Sequence, residues 1–296
     1  MSASSDARAR TLAIIALLAG ATCIGTSALF VKVSEAGPVS TAFWRVFLAL
    51  PFLWAWAWMD QRGAAAAPRG SRKLLFAAGF FFAGDLAVWH WSIVLTSVAN
   101  AVLLANLAPI FVTLAAWLLW RKNPTLMFLA GLAAALTGVM LMVGGDFSHA
   151  SSRALLGDAL GVVTAMFYAS YQLTVTRLRG TVSTARIMAM SSVVTAAFLL
   201  PIAWLSGEVF FPVTAVGWTK VFALALISQV AGQSLIAYAM AHLPATLSSV
   251  GLLLQPVMAS LFAWILLGET LGAAAIMGAV LVLIGIRIAT LSEGRT

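Results

Sequence analysis

Three ionisable side chains, Arg45, Asp85 and His90, sit inside apolar runs long enough to cross a lipid bilayer. A charge at the centre of a membrane helix costs roughly 3 kcal/mol on insertion scales, so groups retained there mark ion pathways, substrate contacts or internal pairs. Asp85, near the centre of its run, has the chemistry of a proton-coupling carboxylate, but the lack of a second acid at its repeat position favours a structural acid that is protonated or hydrogen-bonded. Arg45 lies nearer one end of its run, where a long side chain can snorkel or bond a carbonyl or carboxylate, which suits a structural role. At about 100° per residue, His90 points roughly 140° away from Asp85, which argues against a paired relay on one face.

Uncharged polar residues form stripes at helical spacing. Gln229 and Gln233 are one turn apart, and Phe82, Leu86 and Trp89 follow the same spacing elsewhere in the chain. Tyr168 and Gln172 continue a stripe from Thr164, and Ser248, Leu252 and Gln255 form another. Amides beside aromatic faces suit a zwitterion with an apolar or aromatic side chain, because each end finds a partner without a stranded protein charge. The alternative is interhelical hydrogen bonding, which Ser, Thr and Gln commonly supply in bundles. Catalysis finds no support: HExxH, GxSxG, a phosphate-binding glycine loop and paired aspartates are all missing. One cysteine, Cys23, and three scattered histidines, His90, His149 and His242, give neither a disulfide framework nor metal-ligand spacing, so no metal and no cofactor is expected.

The elements that carry these residues follow from composition. The chain is 62% hydrophobic and 9% charged over 296 residues, whereas about a quarter of a soluble domain is charged. Lipid is the solvent for most of it. The net charge of +8 sits in short clusters between apolar runs, which reads as membrane topology and not as nucleic-acid binding. A span needs about 20 apolar residues. Ten runs qualify, at approximately 11–33, 39–59, 74–95, 98–120, 126–144, 155–177, 185–205, 216–240, 245–267 and 271–290. None alternates with the period of a porin strand, so the expected fold is an all-α polytopic bundle. Ala19-Gly20-Ala21 resembles a signal cleavage site, but the apolar run continues well past it, so the first run is expected to be a span.

With the N-terminus inside, thirteen basic residues face the cytoplasm: Arg8, Arg10, Arg62, Arg69, Arg72, Lys73, Arg121, Lys122, Arg177, Arg179, Arg186, Arg287 and Arg295. Only Lys32, Arg153 and Lys220 fall outside. The positive-inside rule therefore places both termini in the cytoplasm.

An offset of 147 residues aligns Lys73 with Lys220, Pro109 with Pro256, Trp117 with Trp264, Gly131 with Gly278 and Gly138 with Gly285, all without a gap. Two five-helix units are expected, at 1–148 and 149–296. In that register Phe82 and Leu86 match Gln229 and Gln233, while Gly232 matches Asp85 and offers no second acid. Five is odd, so the second unit enters the membrane from the opposite face, and inverted repeats of this kind are a transporter architecture with a site near the midplane. Pro109 and Pro256 fall at matching mid-membrane depth, where loss of the N–H should free the carbonyls of Ala105 and Leu252. They are candidate gating residues, or kinks that only shape packing.

Taken with Gly25 and Lys32 in the first run and Phe43-Trp44-Arg45 in the second, the segment LPATLSSVGLLLQPVMA at 243–259 followed by LGETL at 267–271 resembles the drug/metabolite transporter superfamily of EamA type. A narrower similarity is to YddG-type bacterial exporters of aromatic and other neutral amino acids. The resemblance implies ten helices, a central cavity lined by spans 1, 3, 4, 6, 8 and 9, and efflux across a bacterial inner membrane. The partners it implies are a small neutral or aromatic amino acid and membrane lipid, with the oligomeric state open. Another small metabolite or a drug is the alternative cargo. Ile24 stands where many relatives carry Trp, and Lys122 where the first half often keeps a counterpart of Glu269.

Overall fold

The computed structural model describes residues 3–60, 69–144, 151–179, 181–268 and 270–292, so Glu269 and His149 lie outside the described residues. Ten helical stretches among them are long and apolar enough to cross a membrane. The first span is α1 (Ala3–Gly25) and α2 (Ser27–Lys32); the second is α3 (Pro38–Met59) and the third α4 (Arg69–Leu95). The fourth breaks into α5 (Val98–Ala105) and α6 (Ala108–Trp120), and α7 (Leu126–Val143) is the fifth. The second unit contains α8 (Ser152–Leu178), α9 (Thr184–Leu205), an eighth span built from α10 (Ala215–Leu224), a π-helical segment (Ala225–Gly232) and α11 (Gln233–His242), a ninth broken into α12 (Ala245–Gly251) and α13 (Leu254–Leu267), and α14 (Ala273–Ser292). Side-chain oxygens of Ser97, Thr125, Ser151 and Thr214 start α5, α7, α8 and α10 by accepting a backbone N–H three residues on.

The repeat is visible in the packing. The fifth and tenth spans are mates, and they run antiparallel, because Gly131 meets Gly285 and Ala289 while Gly138 meets Gly278 and Val282. Exchanging each residue for its mate converts one contact into the other. Likewise α4 packs on α8, and their mates α11 and α1 pack on each other. Mates that run antiparallel make this an inverted repeat in space as well as in sequence. Even the helix ends correspond: Arg121 and its mate Gly268 close α6 and α13 in left-handed conformation, at φ 52° and 67°.

At one end of the bundle two carboxylates tie the units together. Glu35 accepts from the backbone N–H groups of Val213 and Thr214 at 3.0 and 2.8 Å and from the Thr214 hydroxyl at 2.5 Å, at the start of α10. Glu208 accepts from the Val39 N–H at 3.0 Å, at the start of α3, and Gly37 N–H donates to Val209 O at 2.8 Å. Each loop thus caps a helix of the other unit, where N–H groups lack partners and favour negative charge. The Thr214 hydroxyl and amide, helped by Val213 and Lys220, hold Glu35 below the usual carboxylate range. A carboxylate with a depressed folded value stabilises fully above its unfolded value of about 4.3 and loses that contribution as pH falls towards the folded value. The protection factors of the Val213 and Thr214 amides in hydrogen exchange should therefore be steady at neutral pH and collapse below about pH 4. Glu35→Ala should show the collapsed values at pH 7. Equal protection in both proteins at neutral pH would remove Glu35 from the tie.

Candidate functional site

A cavity of about 190 Å³ lies between the two units. Its charged wall is Arg45 from α3 and Asp85 from α4; its aromatic wall is Phe82, Trp89 and Tyr168. Gln233, Gln255, Thr164, Ser27 and Asn106 supply uncharged polar groups, and Ile24, Gly25, Leu86 and Pro256 complete much of the apolar lining. Arg45 is 7% exposed and is held in place from behind: its Nε donates to Gln229 Oε1 at 3.1 Å and its Nη1 to Ser27 Oγ at 3.1 Å. Gln229 Nε2 in turn reaches Ser192 Oγ at 3.5 Å. The guanidinium is thus positioned by three helices and presents its remaining donors to the cavity.

Several amide and hydroxyl groups here have no protein partner. Gln233 Nε2, Gln255 Nε2 and Thr164 Oγ1 are buried without a hydrogen bond, and all three residues line the cavity. Gln255 stands beside the Tyr168 hydroxyl and Gln233 beside that of Tyr171, which stacks on Phe82 with ring centroids 4.9 Å apart. Leaving a buried polar group unpaired costs about 1–3 kcal/mol, so such groups concentrated in one hollow are prepared for a polar ligand or water.

Of the residues singled out by spacing, the structure brings Phe82, Trp89, Tyr168, Gln233, Gln255, Pro256, Arg45 and Asp85 to this cavity. It does not bring Gln229, Gln172 or Ser248, which are 0%, 1% and 0% exposed and lie off the lining. Gln229 lies in the π-helical segment 225–232, and its side chain braces Arg45, while that of Gln233 faces the hollow. His90 also lies off the cavity, with its Nδ1 on Leu86 O and its Nε2 buried without a partner.

The prolines fall differently from a simple kink. Pro109 and Pro256 lie in the first turn of α6 and α13, where a missing N–H is harmless, and each follows a real break in its span. The Leu252 carbonyl, expected to be free, accepts the Gln255 N–H at 2.9 Å. Pro109 does not line the cavity; Asn106, in the break just before it, does. Asn106 and Ser27 escaped the reading by stripes because both occupy interruptions of a helix, where periodicity carries no information.

The walls are asymmetric along the membrane normal. At the end carrying Arg179, α12 packs on α6 and on α8, and α11 packs on α8. Their mates at the Glu35 end, α5 against α13 and α1, and α4 against α1, make no more than marginal contact, whereas α5 packs on α8 there more closely than its mate α12 packs on α1. Trp89, Asn106, Ser27 and Ala28 place the cavity towards the Glu35 end. Among the described residues no group of three His, Cys, Asp or Glu could hold a metal ion.

The model of the EamA-like transporter family matches residues 11–144 and again 155–291. An uncharacterized transporter of Archaeoglobus fulgidus is 27% identical over 276 residues, covering 90% of this chain and 93% of that one. The pseudopaline exporter CntI of Pseudomonas aeruginosa is 26% identical over 273 residues, covering 92% of this chain and 93% of its own. One crystal structure of a protein superposes with a TM-score of 0.77 over 99% of both chains at 19% identity, a likeness of fold alone.

Proposed function

Because this chain belongs to the EamA-like transporter family, we propose that it exports small amino-acid-like metabolites, aromatic and other neutral amino acids above all, by alternating access. The observation that carries the cargo reading is the pairing of Arg45 and Asp85 on one small cavity with Phe82, Trp89 and Tyr168. A carboxylate meets the guanidinium, an ammonium meets the carboxylate, and an aromatic side chain meets the rings. A sugar would offer neither a carboxylate to Arg45 nor an ammonium to Asp85, and a cationic dye would offer nothing to Arg45. The unequal packing of mated helix pairs supports alternating access: interchanging the two units' contacts gives a second state at little change in the kinds of contact made.

On this reading the membrane is a bacterial inner membrane with both termini in the cytoplasm. The units would divide near 148. Asp85, with no acid in the eighth span, serves the substrate ammonium, and Pro109 and Pro256 sit at the joints about which the half-helices move. One relative is named as an exporter of pseudopaline, and that favours a second reading in which the cargo is another small metabolite.

Proteoliposomes loaded with unlabelled phenylalanine, tryptophan, leucine, glutamate or lysine and given labelled phenylalanine decide between them. Exchange should be fast against the neutral amino acids and much slower against the charged pair, and Trp89→Ala or Gln233→Ala should slow it while abundance stays near normal. Transport of a sugar or dye with no exchange of any neutral amino acid would replace the first reading by the second.

A further inference from the structure

A larger hollow, of about 540 Å³, lies at the Arg179 end, between α6, α8 and the turn into α12. Three cations converge on it, Lys122, Arg177 and Arg179, and among the described lining residues there is no carboxylate. Basic residues at span ends are ordinary, but these are gathered into a concave site and not spread over a rim. The Arg177 guanidinium lies 5.2 Å from the centroid of the Trp120 ring, which fixes it without neutralising it. Arg179 reaches only a carbonyl, Leu243 O at 3.4 Å. Thr176 Oγ1, on the same wall, is buried with no partner. Outside the hollow Leu118, Leu119 and Leu126 are 62%, 63% and 85% exposed, as residues facing acyl chains are.

We propose that this hollow binds the phosphate of an anionic lipid headgroup. A phosphate diester brings one negative charge and acceptor oxygens to three cations, at the depth where a membrane helix ends and lipid phosphates lie. The walls come from α8 and α6 on one side and from the Pro244–Thr246 turn on the other, so the complete site exists only while α12 stays packed on α6. A lipid bound there favours the conformation described here over its counterpart, since a ligand shifts an equilibrium towards the state that binds it better. Soluble glycerol phosphate carries the same chemistry without the acyl chains.

The test is native mass spectrometry of the purified full-length protein titrated with phosphatidylglycerol, phosphatidylcholine or glycerol phosphate. Phosphatidylglycerol should be retained and phosphatidylcholine should not. At about 1 kcal/mol per basic side chain, each of Lys122→Gln, Arg177→Gln and Arg179→Gln should weaken retention roughly fivefold, and the triple variant roughly a hundredfold. Arg72→Gln with Lys73→Gln removes charge from the same end but outside the hollow and should leave retention unchanged. Competition by glycerol phosphate at equal concentration would show that the phosphate alone is recognised; its failure to compete would show that the acyl chains contribute. Equal retention of both lipids, or retention unaffected by the three single variants, would overturn the site.

Discussion

Replacing Arg45 by Gln should lower phenylalanine exchange by about a hundredfold, because truncating a buried charge that bonds a ligand typically costs 2–5 kcal/mol. The guanidinium is 7% exposed, braced by Gln229 and Ser27, and turned to a cavity that holds Asp85. On the proposed reading, its removal leaves the substrate carboxylate without its cationic partner. Arg45→Lys should recover only part of the activity, since an ammonium keeps the charge but not the planar fork that reaches Gln229, Ser27 and a ligand together. The decisive comparison uses phenethylamine, which lacks the carboxylate. Wild-type protein should prefer phenylalanine strongly, and Arg45→Gln should lose the preference. Normal exchange with the preference intact would reduce Arg45 to a brace between α3 and the π segment.

Gly138→Val is expected to be the most destabilising single change in the seam between the fifth and tenth spans. A Cβ there would lie 2.5 Å from Gly278 O and 2.7 Å from Val282 N, both backbone atoms that cannot rotate aside. Overpacking of this kind typically costs 1–3 kcal/mol, and here two helices must separate along their whole contact to relieve it. Inverted symmetry makes Gly285→Val a measurement of the symmetry-related contact, since a Cβ at Gly285 meets Gly131 O at 2.5 Å. Gly70→Ala, with nothing within 4 Å, is the control and should be neutral or slightly stabilising. Thermal unfolding followed by size-exclusion in detergent reads all three. Melting temperatures unchanged in both seam variants would show that the helices do not pack as described.

The spans were legible because lipid leaves a long uninterrupted record: an apolar run of fixed length, ended by charge. The repeat was legible for a related reason, as the seam glycines, which leave no room for a Cβ, and the two prolines recur at one offset. The cavity was legible only where a helix is regular. Phe82, Trp89 and Tyr168 lie on α4 and α8, which hold one winding from end to end, and periodicity assigned their face. Asn106 lies in a break, where the same arithmetic gives no face, and Gln229 is taken up by Arg45 on another helix, a contact that spacing does not encode. That Arg45 and Asp85 share a hollow depends on how α3 and α4 meet other helices, and no local pattern encodes it. The Glu35 and Glu208 ties were hidden for another reason: their partners are backbone N–H groups, which every residue but proline has.

The seam between the fifth and tenth spans also bears on ancestry. Gly131 against Gly285 and Gly138 against Gly278 form a self-complementary set, the arrangement found when two identical subunits meet across a two-fold axis. A half-length gene encoding one five-helix unit, inserted into the membrane in both orientations, would close this seam with a second copy of itself. Fusion of two such genes then frees each half to diverge without losing its partner. The divergence is recorded in the remaining mates: Glu35 and Glu208, which tie one end of the bundle, correspond to Val182 and Gln61, so the two faces of a once-symmetric dimer have become chemically distinct.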